Sequence, residues 1–179
     1  SHAFGEKKDL FQHFNHTALG YSYRLSGLQA ALGVSQMERV EQLIEKKCNN
    51  GKFYNSFLKD LADQHMIDLP PQMPWAKNTF WYYTILVNPS YGISRDELMK
   101  KLYEDGIETR TTFIPMHRQI IYRQNPSLNS VTDTNSYRVG DVFPVADMIA
   151  ERGINLPSSS RLKAEEIMYV CESIKKHAV

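Results

Sequence analysis

Cysteine is almost missing from this chain: Cys48 and Cys171 are the only two among 179 residues. Two cysteines make neither a disulfide framework nor a cysteine-rich metal site. No apolar run approaches the ~20 residues that a membrane-spanning helix needs. An excess of one charge is missing too. Lysine and arginine total 21 against 20 aspartate and glutamate, a net of +1. That balance excludes the basic face of a nucleic-acid binder and a polybasic membrane patch. There is no G-x-G-x-x-G or G-K-[ST] phosphate loop, no H-E-x-x-H, no C-x-x-C and no G-x-S-x-G nucleophile elbow. The chain also begins without methionine, at Ser1-His2-Ala3-Phe4-Gly5, and no charged-then-apolar leader follows. Such a start reads as cut, processed or tag-derived. What is present, 42% hydrophobic and 23% charged residues, is the composition of a soluble globular domain long enough to bury a core.

Residues 1–24 are polar, aromatic and irregular, and read as a loop-rich lead-in. Ser26 and Gln29 form an S-x-x-Q capping box that opens a long helix. The stripe Leu25, Leu28, Leu32, Val40, Leu43, Ile44 follows helical period. Asn49-Asn50-Gly51 is expected to interrupt it, with Phe53 to Leu61 as a second helix or a kinked extension. Leu69-Pro70-Pro71 starts a stiff connector. Phe80 to Val87 is aromatic, β-branched or aliphatic throughout and reads as the clearest strand. Ser94-Arg95-Asp96-Glu97 is an S-x-x-E capping box for a short helix that Gly106 stops. Ile107–Phe113 reads as a second strand and Ile154–Leu156 as a third. Between them, 118–150 is polar and weakly periodic, with a short helix expected near 141–150. The last helix carries Ile167, Val170, Cys171 and Ile174 at i, i+3, i+4, i+7. Three strands with helices on one face make a small α+β layer sandwich.

Most candidate chemistry has a plain alternative. His13 and His16 have metal-ligand spacing on a helix, but with no third ligand nearby they read as surface or loop histidines. Cys48 lies in a lysine-rich helix end and Cys171 on the apolar stripe; both read as unreactive packing residues. The twelve lysines occur mostly as doublets on polar faces, and none has the apolar surroundings of a Schiff-base lysine. Three segments stand out. Gly20-Tyr21-Ser22-Tyr23-Arg24 sets hydroxyls and a guanidinium before a helix start, which suits either an anion or an aromatic docking loop. Arg110 and His117 mark the exit of one strand, which suits a phosphate or carboxylate substrate, or is simply a polar strand end. Asn155-Leu156-Pro157-Ser158-Ser159 reads as a structural strand stop.

Taken together, the segments resemble a family. Tyr21-Ser22-Tyr23-Arg24-Leu25-Ser26-Gly27-Leu28-Gln29-Ala30-Ala31-Leu32-Gly33, followed by Gln36-Met37-Glu38-Arg39, resembles the helix-entry signature of DegT/StrS-type nucleotide-sugar aminotransferases. Gly106-Ile107-Glu108-Thr109-Arg110 with Phe113-Ile114-Pro115-Met116-His117, and Gly153-Ile154-Asn155-Leu156-Pro157-Ser158-Ser159 with Glu165-Glu166-Ile167, resemble that family's later blocks. Phe80-Trp81-Tyr82-Tyr83-Thr84 and Glu108-Thr109-Arg110 lean toward its perosamine-synthase branch.

The resemblance implies a pyridoxal-phosphate enzyme of fold type I. It would transfer an amino group from glutamate to a keto carbon of a nucleotide-linked deoxysugar, in lipopolysaccharide O-antigen and related polysaccharide biosynthesis. It implies a cytoplasmic homodimer of which this chain is the C-terminal portion, with no nucleic-acid or membrane partner. Residues 1–25 would be the tail of the large cofactor-binding domain and lead-in loop, and 26–179 the small α+β domain, with a short, mostly antiparallel three-stranded sheet behind a long linking helix. The Schiff-base lysine would precede Ser1, which gives the missing methionine a meaning and leaves this chain inactive alone. Tyr21, Ser22 and Arg24 match the segment that reaches the neighbouring subunit's cofactor phosphate. Ser22 stands where the family usually has asparagine, and its hydroxyl reaches less far. Arg110, His117 and Tyr23 are the substrate-side candidates. A dehydratase of the same fold, and a non-catalytic interaction module derived from it, are the alternatives.

Overall fold

In the computed structural model the described residues are 23–118 and 142–179. The chain divides into two compact units, Ser1–Val40 and Glu41–Val179.

In the first unit, helix α1 spans Gly27–Met37. The expected box forms: the Ser26 hydroxyl accepts the Gln29 N–H, and the Gln29 side chain accepts the Ser26 N–H. None of the residues of α1 is buried. The single long helix read from Ser26 is in fact two. The Arg39 N–H bonds to the Gln36 carbonyl three residues back, a tightened turn that ends α1.

Helix α2 then runs Val40–Phe57, straight through Asn49-Asn50-Gly51. The expected interruption there is corrected by tertiary packing. Gly51 is buried, and a Cβ on it would lie 2.5 Å from the Phe80 ring. Glycine is therefore required at this position for close approach and not as a helix stop. Helix α3, Lys59–Asp63, follows.

The second unit holds one antiparallel sheet in the order β1-β2-β4-β3: β1 Ile67–Asp68, β2 Tyr83–Val87, β3 Arg110–Thr111 and β4 Gly153–Leu156. Four strands, not three, is a correction. Two-residue β1 is too short for any alternation to betray it. The other strands are shorter than read. Phe80 is in the left-handed region at φ 51°, so β2 starts only at Tyr83. Only Arg110 and Thr111 find partners on β4, so β3 shrinks to them.

Register sorts the faces. Tyr83 pairs with Leu156, Ile85 with Ile154 and Ile67 with Val87, and all six are buried on the core face. Thr84 pairs with Asn155, and Arg110 pairs with Asn155 on the polar face. Helix α4, Arg95–Glu104, is capped by Ser94 and buries Leu98 and Leu102. Helix α5, Pro144–Arg152, feeds directly into β4. Arg95 ties the two together through Nη1, which donates to the carbonyls of Ala150 at 3.2 Å and Gly153 at 3.0 Å. Helix α6, Ala164–Lys176, buries Ile167, Val170, Cys171 and Ile174 as its period requires.

Tyr54 of α2 stacks on Tyr83 at 4.5 Å. Their hydroxyls are satisfied by the Pro157 carbonyl and Asn55 Oδ1. Burial pushes both phenols well above the ordinary tyrosine range.

Candidate functional site: a cleft beside Arg110

Among the described residues, an open cleft of about 660 Å³ lies where the polar sheet face meets the start of α6. The local chain builds it in three steps. Gly106, at φ 79°, turns the chain out of α4 and sends Glu108 and Arg110 along the cleft wall. Asn155, buried within the sheet, receives the Thr84 hydroxyl at 2.6 Å and donates to the Thr111 carbonyl at 3.1 Å, which fixes the floor. Tyr169 and Glu165 of α6 close the far side. Glu166 is occupied, because it accepts the Lys163 N–H at 2.8 Å and caps α6. Tyr169 is also fixed, donating to the Asp105 carbonyl at 2.9 Å.

Arg110 is 74% exposed, and its nearest charge partner is Glu108 Oε1 at 3.6 Å. An exposed pair at that length contributes little and leaves the guanidinium able to take a ligand anion.

His117 is placed differently. It lies on a short 3-10 turn, Met116–Arg118, with Nε2 2.7 Å from Asp147 Oδ1 of α5. Arg118 Nε reaches the same Asp147 oxygen at 2.6 Å, and its Nη2 reaches Glu151 at 3.0 Å. The imidazole also lies 5.0 Å from the Phe143 ring. His117 does not line the cleft that Arg110 lines. Sequence reasoning missed Asp147, and only a charged residue in the first turn of a weakly marked helix hinted at it.

Tyr23 and Arg24 are exposed residues of the first unit, just ahead of the Ser26 cap. Tyr21 and Ser22 lie outside the described residues, as do His13 and His16 and most of the 118–150 stretch.

Among the described residues no group of His, Cys, Asp and Glu is arranged to hold a metal ion. No helix among them is long and apolar enough to cross a membrane.

The fold is that of solved aminotransferases. The crystal structure of the aminotransferase TlmJ from Streptoalloteichus hindustanus superposes with a TM-score of 0.73 at 19% identity, over 92% of this chain and 40% of that one. The sequence takes the assignment further. The model of the DegT/DnrJ/EryC1/StrS aminotransferase family matches residues 1–175, and the chain belongs to that family. GDP-perosamine synthase of Escherichia coli O157:H7 is 28% identical over 98% of this chain and 42% of its own length. GDP-perosamine synthase of Vibrio cholerae is 29% identical over 90% of this chain and 40% of its own length. The chain thus spans about two fifths of the curated relatives it matches.

Aminotransferases of this family depend on pyridoxal phosphate. The described residues of this chain do not fit a covalently held pyridoxal phosphate. No lysine lines the cleft, while Glu108 and Glu165 stand in it beside Arg110. The half-buried Lys47 has its pKa lowered by burial, but its ammonium donates to the Trp81 carbonyl at 2.9 Å and serves the fold.

Proposed function

We propose that this chain is the C-terminal, substrate-facing portion of a sugar aminotransferase of fold type I. The enzyme moves an amino group from glutamate to a keto carbon of a nucleotide-linked deoxysugar. The observation that carries the reading is the family match along residues 1–175. In this reading residues 1–25 end the large domain and 26–179 form the small domain. Arg110, His117 and Tyr23 serve the nucleotide sugar, while Tyr21, Ser22 and Arg24 approach the cofactor phosphate of a second subunit in a cytoplasmic homodimer. The lysine that holds pyridoxal phosphate comes from the part of the enzyme outside these residues.

The test joins this chain to the large-domain portion of a GDP-perosamine synthase and supplies pyridoxal phosphate, ¹⁵N-glutamate and nucleotide-linked 4-keto-6-deoxysugars. The joined protein should put ¹⁵N on the sugar, and neither part alone should do so. A joined protein that folds, as judged by circular dichroism, and transfers no ¹⁵N contradicts the proposal.

A further inference from the structure

One face of α2 carries more chemistry than packing requires. Lys47, Asn50, Gly51 and Tyr54 stand at i, i+3, i+4 and i+7, the spacing at which a helix buries an apolar stripe. Here the stripe holds three side-chain donors and a glycine. Each donor reaches a main-chain carbonyl. Lys47 Nζ donates to Trp81 at 2.9 Å, Asn50 Nδ2 to Ser159 at 2.9 Å and the Tyr54 hydroxyl to Pro157 at 2.8 Å. Gly51, on the same face, admits the Phe80 ring.

The three carbonyls share a position in the fold. Strand β2 starts at Tyr83 and β4 ends at Leu156, and these two residues are the last pair of their ladder. Trp81, Pro157 and Ser159 lie just past it, where the sheet no longer holds the chain. Carbonyls there must find partners elsewhere, and α2 supplies one to each. The Ser158 hydroxyl adds a bond to the Trp81 carbonyl at 3.4 Å, which ties one segment to the other. Both segments run into the cleft. Tyr82 follows Trp81, and Pro157 and Ser158 line the cleft directly. Leu162 lines it too, and its N–H bonds to the same Ser159 carbonyl at 3.2 Å. Among the described residues that line the cleft, none comes from α2.

Leucine at 47 or 50 would bury more apolar surface, and carbonyls at a surface can bond to water. Lysine and asparagine instead give up side-chain freedom to fix atoms on two separate stretches of chain. Resting on the aminotransferase reading, we propose that Lys47, Asn50 and Tyr54 are positioning residues for the substrate cleft, acting through Tyr82, Pro157 and Leu162 to hold this lip in the shape that accepts the nucleotide sugar. A wall ordered in advance spares the ligand the cost of ordering it. The Asn49-Asn50-Gly51 run then has a task in the middle of a helix: Asn50 and Gly51 face the cleft segments, while Asn49 is exposed.

Two measurements test the clamp. Hydrogen–deuterium exchange on the full chain reads whether it holds. Asn50→Asp keeps the side chain's shape and removes its donor. It should speed exchange of the Arg161 and Leu162 amides about fivefold, the net worth of one hydrogen bond, and leave the amides of α4 unchanged. Kinetics of the joined protein reads what the clamp is for. Lys47→Met, Asn50→Asp and Tyr54→Phe should each raise KM for a GDP-linked 4-keto-6-deoxysugar about fivefold, with kcat and KM for glutamate unchanged. Lys47→Arg, which keeps a charged donor, should restore the original KM, and Asn49→Ala should change neither readout. Lys47 and Asn50 are only half-buried, so the test does not depend on the buried Tyr54. Unchanged exchange, faster exchange with an unchanged KM, or a loss of kcat with no change in KM overturns the positioning role. The ¹⁵N assay separates this from the parent reading. A joined protein that transfers no ¹⁵N removes the aminotransferase reading, and exchange alone then decides whether the clamp stands.

Discussion

His117 and Asp147 are 30 residues apart in the chain, and their side chains meet at 2.7 Å. The contact holds the imidazole against α5, and Arg118 shares the same carboxylate. Removing Asp147 strips both His117 and Arg118 of this acceptor, and removing His117 leaves Asp147 with Arg118 but opens a gap in packing against α5. In urea unfolding, Asp147→Ala and His117→Ala should each lower stability by about 1 kcal/mol, and the double mutant should cost less than their sum. Strict additivity would show that the pair is a contact without coupling.

Asp105 is the second tie point. Its carboxylate accepts from the Ser173 hydroxyl, from His177 at 2.8 Å and from Lys176 at 3.1 Å, which fastens the end of α4 to the end of α6. These hydrogen bonds, that of Ser173 first, hold its pKa well below the ordinary carboxylate range. A carboxylate depressed in the folded state stabilises above its unfolded pKa and loses that contribution as pH falls. Chemical denaturation from pH 7 down to pH 2 should therefore show an acid-side loss that Asp105→Asn reduces. An acid limb of unchanged depth in Asp105→Asn would contradict this.

The two thiols should separate cleanly. Cys171 is buried between α6 and the sheet, and burial pushes its pKa up to about 12. Cys48 is only half-buried, with Sγ near the Asn78 carbonyl. A thiol reagent at neutral pH should titrate Cys48 in the folded protein and Cys171 only after denaturation. Labelling of Cys171 at the rate of Cys48 would contradict the packing.

Gly51 should not tolerate even a methyl group. Alanine there places Cβ 2.5 Å from the Phe80 ring, which is held by a strained backbone and cannot easily retreat. Gly51→Ala should cost about 1–3 kcal/mol despite alanine's better helix propensity, measured by thermal or urea unfolding. A neutral or stabilising effect would show that Phe80 moves freely.

The same Gly51 shows where sequence reading stops. Asn49-Asn50-Gly51 looks like a helix stop because its local chemistry is that of a turn. The reason for the glycine is a ring 29 positions away, which no local pattern encodes. Phe80–Val87 reads as one buried strand because every residue is a strand former. The left-handed turn at Phe80 divides it into a core strand and the exposed Trp81–Tyr82 pair. Where the signal is local it holds: the Ser26 box and the Ile167–Ile174 stripe form as read, and the Ser94 hydroxyl caps α4 by accepting the Glu97 N–H. Arg110 was legible as a candidate through its strand-exit motif. Its cleft was not, because Tyr82, Asn155 and Tyr169 reach it from three separate stretches of the chain.

The division of labour between this chain and the rest of the enzyme can be read directly. Pyridoxal phosphate is added to the joined protein described above and the adduct is reduced with borohydride. The modified lysine is then located by peptide mass mapping. The pyridoxyl group should map to a lysine outside these 179 residues and leave all twelve of this chain's lysines unmodified. A stoichiometric adduct on any one of those twelve would contradict the proposed role.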